Sequence, residues 1–337
     1  MATLPDGAYA AALASLAGVG PRALRTWLDD AGPATVWRRL CEGELDLRFT
    51  SPARRTDVAG VWEAHRREGI DVLVRGRPPY PGALAADEEA PAVLFALGDP
   101  SVVDRFPRVA VVGTRTPTRY GLGVAAQLGG ELSAAGTAVV SGLALGIDGA
   151  AHEGAVAARV AAAADGAAPP VAVVAGGLDH AYPRRHALLW RRVAEAGAVL
   201  SEAPVGAADL GWRFPQRNRI IAALAHVVVV VECHATGGSL HTVRAATRRS
   251  VPVGAVPGSV RSPASNGTND LLADGCFVVR DATDVLVALG LARAGATSPR
   301  RLPAQGPPAS GPAARGRGAT PPLFTLAPGA AARRPPP

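Results

Sequence analysis

The sequence predicts an α/β protein: a doubly wound, mostly parallel sheet with a small N-terminal all-α domain and a disordered C-terminal tail. Three observations carry this. From residue 107 to about 285, short β-branched runs alternate with Ala-rich helical stretches, the pattern of consecutive βα units. The runs are near-continuously apolar, as strands covered on both faces must be. Residues 291–337 then hold 11 of the 30 prolines and almost no large apolar side chain, which denies them a core.

The N-terminal residues read as short helices. "LASLAGVGPRALRTWL" places Gly18-Val19-Gly20-Pro21 between two apolar-periodic segments, a helical hairpin with Pro21 opening its second helix. Such a turn serves either as a packing module or as a donor of backbone N–H groups to a DNA phosphate. Strands are expected at 108–113, 137–142, 171–177, 198–202, 226–232 and 251–258, and helices at 119–135, 147–158, 184–196, 215–224 and 239–248. Residues 159–170 read as a surface insertion. The domain boundaries follow as 1–75, 76–288 and 289–337.

Charge is distributed unevenly. Of 35 basic residues, seven arginines lie beyond residue 290, where there is no Asp or Glu; the remaining 28 balance the 28 acids. The body is neutral, so an anion site within it must be local and geometric. The chain has no lysine, so each basic contact is a guanidinium, suited to bidentate or stacked binding. Cys41, Cys233 and Cys276 are odd in number and form no CxxC pair, which points to a reducing cytoplasm and no zinc knuckle. No basic-then-apolar leader opens the chain, and no apolar run reaches the ~20 residues of a membrane helix.

The candidate site lies at the strand ends, where ligands of parallel sheets gather. "GTRTPTRYG" (113–121) lacks the dinucleotide-binding glycine pattern, and no phosphate-loop lysine motif occurs, which argues against a nucleotide-hydrolysing engine. In "RFPQRNRIIAAL" (213–224), Arg217, Ile220, Ile221 and Leu224 share one helical face. Arg217 falls in the first turn, over the sheet edge, flanked by Asn218 and Arg219, where the helix N-terminus adds partial positive charge. Phe214 offers a stacking face. The competing reading makes Phe214 a staple and pairs the arginines with Glu202 or Glu232. With Arg115 and "ATGGSLHT" (235–242) nearby, the anion site is favoured. In that segment Gly237-Gly238 makes an amide-lined turn and Ser239 and Thr242 offer hydroxyls. Cys233, His234 and His241 fit no standard metal spacing. Asp148, Asp179 and Glu202 stand singly and are expected to orient glycine-rich loops. His152 is expected to cap or pack at a helix start. No nucleophile–His–acid set is apparent, and no cofactor is called for.

Taken in order, "VAVVGTRTPTRYG", "VVSGLALGIDGAAHEGA", "VAVVAGGLDHAYP", "VLSEAPVG", "FPQRNRIIAAL", "VVVVVECHATGGSLHTVRAA" and "VPVGAVPG…GTNDLLADG" resemble the DNA-processing protein A (DprA/Smf) family over about residues 10–285. The resemblance implies an extended Rossmann-like domain after a small SAM- or helix-hairpin-helix-like domain. It implies a metal-free and nucleotide-free single-stranded-DNA-binding homodimer of the cytoplasm, not an enzyme. Its expected role is in natural transformation and recombination, protecting incoming strands and loading the RecA recombinase. The family's DNA contacts map to Gly113, Thr114, Arg115, Ser141, Gly142, Phe214, Arg217, Asn218, Arg219, Gly237, Gly238, Ser239 and Thr242. Four departures stand out. Thr236-Gly237-Gly238-Ser239-Leu240-His241-Thr242 stands where relatives usually read Ser-Gly-Ser-Leu-Ile-Thr. Thr114 replaces the usual Ser. Gly211 stands where relatives often carry a basic residue three before the Phe, a role Arg213 is placed to take. A Pro/Arg-rich tail stands where many relatives have a winged helix. The rival classes are a nucleotide-cleaving hydrolase of the lysine decarboxylase-like (LOG) type and a pure interaction scaffold. His241-Thr242-Val243-Arg244 supplies no carboxylate where the LOG type needs its catalytic Glu.

Overall fold

The computed structural model describes residues 4–162 and 166–297. Five short helices come first: α1 (Asp6–Ser15), α2 (Pro21–Asp30), α3 (Pro33–Glu42), α4 (Leu47–Arg55) and α5 (Val58–Arg67). Pro21 and Pro33 each occupy the first helical turn, where a missing N–H costs nothing. The chain then enters the sheet through β1 (Asp71–Val74), α6 (Gly82–Ala85), β2 (Val93–Gly98) and α7 (Val102–Arg105). The βα alternation follows as β3 (Arg108–Val112), α8 (Arg119–Ala134), β4 (Ala138–Ser141), α9 (Ile147–Ala161), β5 (Val171–Val174), α10 (Ala187–Ala196) and β6 (Ala198–Ser201). It ends with α11 (Arg213–Leu224), β7 (Val227–Val230), α12 (Leu240–Arg248), β8 (Val253–Ala255), α13 (Asn266–Ala273), β9 (Phe277–Val278) and α14 (Ala282–Thr297).

The nine strands form one sheet in the order β1-β2-β6-β5-β4-β3-β7-β8-β9. From β3 the chain runs outward through β4, β5 and β6 on one side and, from β7, through β8 and β9 on the other, so the crevice between β3 and β7 is a topological switch point. β2 pairs antiparallel with both β1 and β6, while every pairing from β6 to β9 is parallel. The central strands β3 to β7 are buried throughout, as their unbroken apolar runs require.

Three differences from expectation have physical causes. The antiparallel strands β1 and β2 extend the sheet beyond the alternating region, and β1 lies before the boundary expected at residue 75. The N-terminal helices do not keep a core to themselves: Leu13, Leu24, Trp37 and Leu40 join Phe95, Val174 and Val199 of the sheet in one apolar cluster. Helices of about ten residues carry too little apolar face to be stable alone. At the other end, α14 runs past the expected boundary at 288 because Val285 and Leu289 bury against the sheet face that holds Val109 and Val227. The rest of the expected tail, from residue 298, lies outside the described residues. The segment read as an insertion begins inside α9, which continues to Ala161.

Candidate functional site

A cleft of about 380 Å³ opens at the carboxyl ends of β3, β4 and β7. The end of β3 supplies Gly113, Thr114 and Arg115; α11 supplies Phe214, Arg217 and Asn218; the turn before α12 supplies Gly237, Gly238 and Ser239, with Thr242 behind. The β3 end is pinned at a crossover. Thr114 N donates to Glu232 O at 2.7 Å, and Ile147 N donates to Thr114 O at 3.2 Å. The Thr114 hydroxyl accepts from Thr116 N at 3.2 Å, which turns the chain sharply and leaves Arg115 exposed. Two residues on, Thr118 caps α8 by accepting from Gly121 N, while its own N–H and hydroxyl donate to the buried Glu232 carboxylate at 2.8 and 2.6 Å. Glu232 is thereby occupied with the loop and pairs with no arginine among the described residues.

Arg217 forms the floor. It is only 6% exposed. Its Nη1 donates to Gly142 O at 2.7 Å and to Val173 O, and its Nε donates to Asn218 Oδ1 at 3.2 Å. Asp148 accepts from Gly142 N at 3.1 Å, so Gly142 is clasped between an acid and a guanidinium. A Cβ on Gly142 would collide with both Arg217 Nη1 and Asp148 Oδ2, and only glycine admits this approach. Burial pushes the Asp148 carboxyl up, with Arg217 the main opposing influence. Burial pulls Arg217 down to about 10, with Asp148 opposing. Arg217 therefore stays charged at neutral pH and sets a positive potential beneath the cleft. Its Nη2 makes no hydrogen bond among the described residues.

Arg115 forms the wall. Its guanidinium stands 4.7 Å from the Phe214 ring centroid, and no side-chain hydrogen bond or ion pair holds it among the described residues. Phe214 also meets Tyr182, with ring centroids 5.8 Å apart and planes tilted by 47°. Cation, phenyl ring and tyrosine thus cluster together at the cleft. Asn218 Nδ2 donates to Gly238 O at 3.3 Å, linking α11 to the glycine turn.

Four expected contacts are placed differently. Arg219 does not face the cleft: its Nη2 bonds both Glu202 oxygens at 2.6 and 2.5 Å and its Nη1 bonds Glu89 O. Pairing with Glu202 is the cheaper outcome because both groups are largely desolvated there and an unpaired charge would be costly. Burial raises the Glu202 carboxyl, with Arg219 opposing. Ser141 is fully buried and donates to Val111 O at 2.6 Å, stitching β4 to β3; with Gly142 it supports the floor from below. Ser239 turns its hydroxyl away from the cleft's ligand space. It has αR geometry and its hydroxyl donates to Cys233 Sγ at 3.0 Å, while Thr242 is 1% exposed. The hydroxyls thus serve packing, and what the turn offers a ligand is its backbone: among the described residues, no acceptor takes the amides of Gly238 and Ser239.

Of the single carboxylates, Asp148 and Asp179 orient glycine loops as expected, the latter accepting from Gly206 N at 3.0 Å; Glu202 instead serves Arg219. His152 packs rather than caps: it is fully buried, bonds Val171 O at 3.2 Å and is pulled by burial to about 4. No group of three His, Cys, Asp or Glu side chains capable of holding a metal ion occurs among the described residues. The sequence reading missed Tyr182, whose signal was an aromatic just after a strand-end glycine pair. No helix of the described residues is long and apolar enough to cross a membrane. The cleft therefore joins an exposed cation, a buried cation, an aromatic face and open amides, with its acids tied up beneath. That set suits a polyanion carrying planar groups.

The sequence model of the family described as DNA recombination-mediator protein A matches residues 71–290. DNA processing protein DprA of Bacillus subtilis (strain 168) is 36% identical over 229 residues, covering 68% of this chain and 74% of the relative. The putative DNA processing protein DprA of Mycobacterium tuberculosis is 43% identical over 202 residues, which is 60% of this chain but only 50% of that protein. The chain thus matches half to three-quarters of these relatives' length. Among solved structures, DNA processing protein A of Streptococcus pneumoniae superposes with a TM-score of 0.67 at 27% identity, covering 85% of this chain and 98% of that one. DNA processing protein A of Helicobacter pylori, described with a single-stranded DNA binding mode, gives 0.57 at 27% identity, covering 66% and 96%.

Proposed function

Because the chain belongs to the DNA recombination-mediator protein A family, we propose that it binds single-stranded DNA in the cleft between Arg115, Phe214, Arg217 and the 237–239 turn. The observation that carries this is the free Arg115 guanidinium standing over Phe214 above the buried charge of Arg217. Arg115 and Arg217 Nη2 take backbone phosphates, the Gly238 and Ser239 amides take phosphate oxygens, and Phe214 stacks a base. Stacking tolerates any base, so recognition is sequence-independent and weakens with salt. The single-stranded DNA binding described for the Helicobacter pylori relative supports the reading.

From binding follows a role in DNA processing during uptake and recombination: the protein covers incoming single strands and hands them to the RecA recombinase, acting as a homodimer in the cytoplasm. It acts by binding and not by bond cleavage. The carboxylate lining the cleft, Asp148, is buried and committed to Gly142 N, and α12 opens with His241-Thr242-Val243-Arg244, without an acid. The test is fluorescence anisotropy of a labelled oligothymidylate and of a matched duplex at two salt concentrations. Preference for the single strand, falling with salt, is expected. Equal binding of both, or none, overturns the proposal; release of base from nucleoside monophosphates would favour the LOG-type hydrolase.

A further inference from the structure

A second groove, of about 390 Å³, lies beside the cleft between the Gly18–Gly20 hairpin and the 204–207 loop, and Trp212 and Arg213 form its wall. Three features of this groove are not explained by folding. Trp212 is 53% exposed, although an indole is among the most rewarding side chains to bury. The Arg213 guanidinium covers one part of it, 5.0 Å from the ring centroid. The Arg213 side chain has no hydrogen-bond partner among the described residues, and its Nε is shut away from water. Buried donors in native proteins are rarely left this way.

Position relates the groove to the cleft. Trp212 and Arg213 immediately precede Phe214 at the start of α11. Arg217 lies beneath the cleft and also lines the pocket that joins it to Trp212, Arg213 and Pro21. The acids near this passage are partnered: Glu202 is bonded by Arg219 at 2.5 Å, and Asp209 is bonded by His180 at 2.8 Å. Across the groove stands the start of α2, capped by Gly20 without a side-chain acceptor and opened by Pro21. Its partial positive charge favours an anion on that side.

We propose that Trp212 is a second base-stacking position, and that a bound single strand continues from Phe214 across Trp212 into the hairpin groove, with Arg213 on its phosphates. This rests on the single-strand reading of the central cleft and extends it to a longer footprint. It also gives the N-terminal hairpin a part in binding, as the far wall of the groove. The cation held against the indole serves the strand twice, by fixing the ring plane and by meeting the backbone.

The experiment compares wild type, Trp212→Ala, Trp212→Phe and Arg115→Ala on oligothymidylates of about 5 and about 15 nucleotides, a range spanning common single-strand site sizes. Trp212→Ala is expected to weaken the long oligomer by about tenfold, the scale of one lost stacked base, and to leave the short one near wild type. Trp212→Phe restores the affinity but removes the quenching of tryptophan emission that the long oligomer causes. Arg115→Ala weakens both lengths. Wild-type affinity of Trp212→Ala for the long oligomer, or equal loss on both lengths, overturns the inference. If Arg115→Ala leaves the short oligomer bound, the central-cleft reading fails instead, and binding of neither oligomer by wild type ends both.

Discussion

Arg217 and Arg115 border the same cleft and do opposite work. Arg217 is buried, spends its Nη1 and Nε on Gly142 O, Val173 O and Asn218, and sits near Asp148. Arg115 is exposed, stands over the Phe214 ring and makes no side-chain hydrogen bond or ion pair among the described residues. A charge already spent on protein groups shapes a site; one left free is available to a ligand. The same contrast separates Arg219, locked to Glu202, from Arg213, whose side chain has no hydrogen-bonded partner among the described residues. A motif of adjacent arginines therefore does not translate into adjacent contacts.

The sharpest way to break this comparison is Arg217→Ala. It strands Asp148 and two carbonyls without their cation, and a loss of about 3–5 kcal/mol in stability is expected from removing one partner of a buried charge network. Denaturant unfolding checks it; a variant as stable as wild type would make Arg217 a mere ligand contact.

Acid tests the buried side of the comparison through histidine. His152 and His226 are both held near 4 by burial, below the ordinary 6.5. Protons then bind the unfolded chain preferentially, so stability is unaffected above pH 6.5 and falls as pH drops from 6.5 toward 4. Thermal melts across that window should show the decline, and His152→Asn should flatten it. His180, paired with Asp209 at the surface, is shifted upward and works in the opposite direction, but exposure screens it and its effect is small.

On the exposed side, Arg115→Ala should lower single-strand affinity about tenfold, the scale of one charge-assisted contact, and reduce the salt slope by about 0.7. The smallest expected effect is that of Asn218→Ala, which frees Gly238 O and costs about 1 kcal/mol, read as a modest affinity loss from a looser turn.

The parallel strands β3 to β8 and their helices were legible in the sequence because runs such as Val227–Val231 leave no other reading, and Gly-rich strand ends marked the site's edge. β1 and β2 were not, since antiparallel strands outside the alternation carry no comparable signal. The residues that meet in the cleft were legible as a set, but their division of labour was not. Arg217 and Arg219 are two residues apart on one helix, yet one faces β4 and β5 and the other Glu202. Which acid lies within reach is a tertiary fact. Ser239 misled for the same reason: its hydroxyl reads as open to a ligand oxygen, and here a buried cysteine claims it.

The most direct test of the account measures thermal unfolding and oligothymidylate affinity on the same preparation of Arg115→Ala. An unchanged melting temperature with about tenfold weaker binding is the predicted result. Unchanged binding in a variant that melts like wild type would contradict it and move the strand away from this cleft.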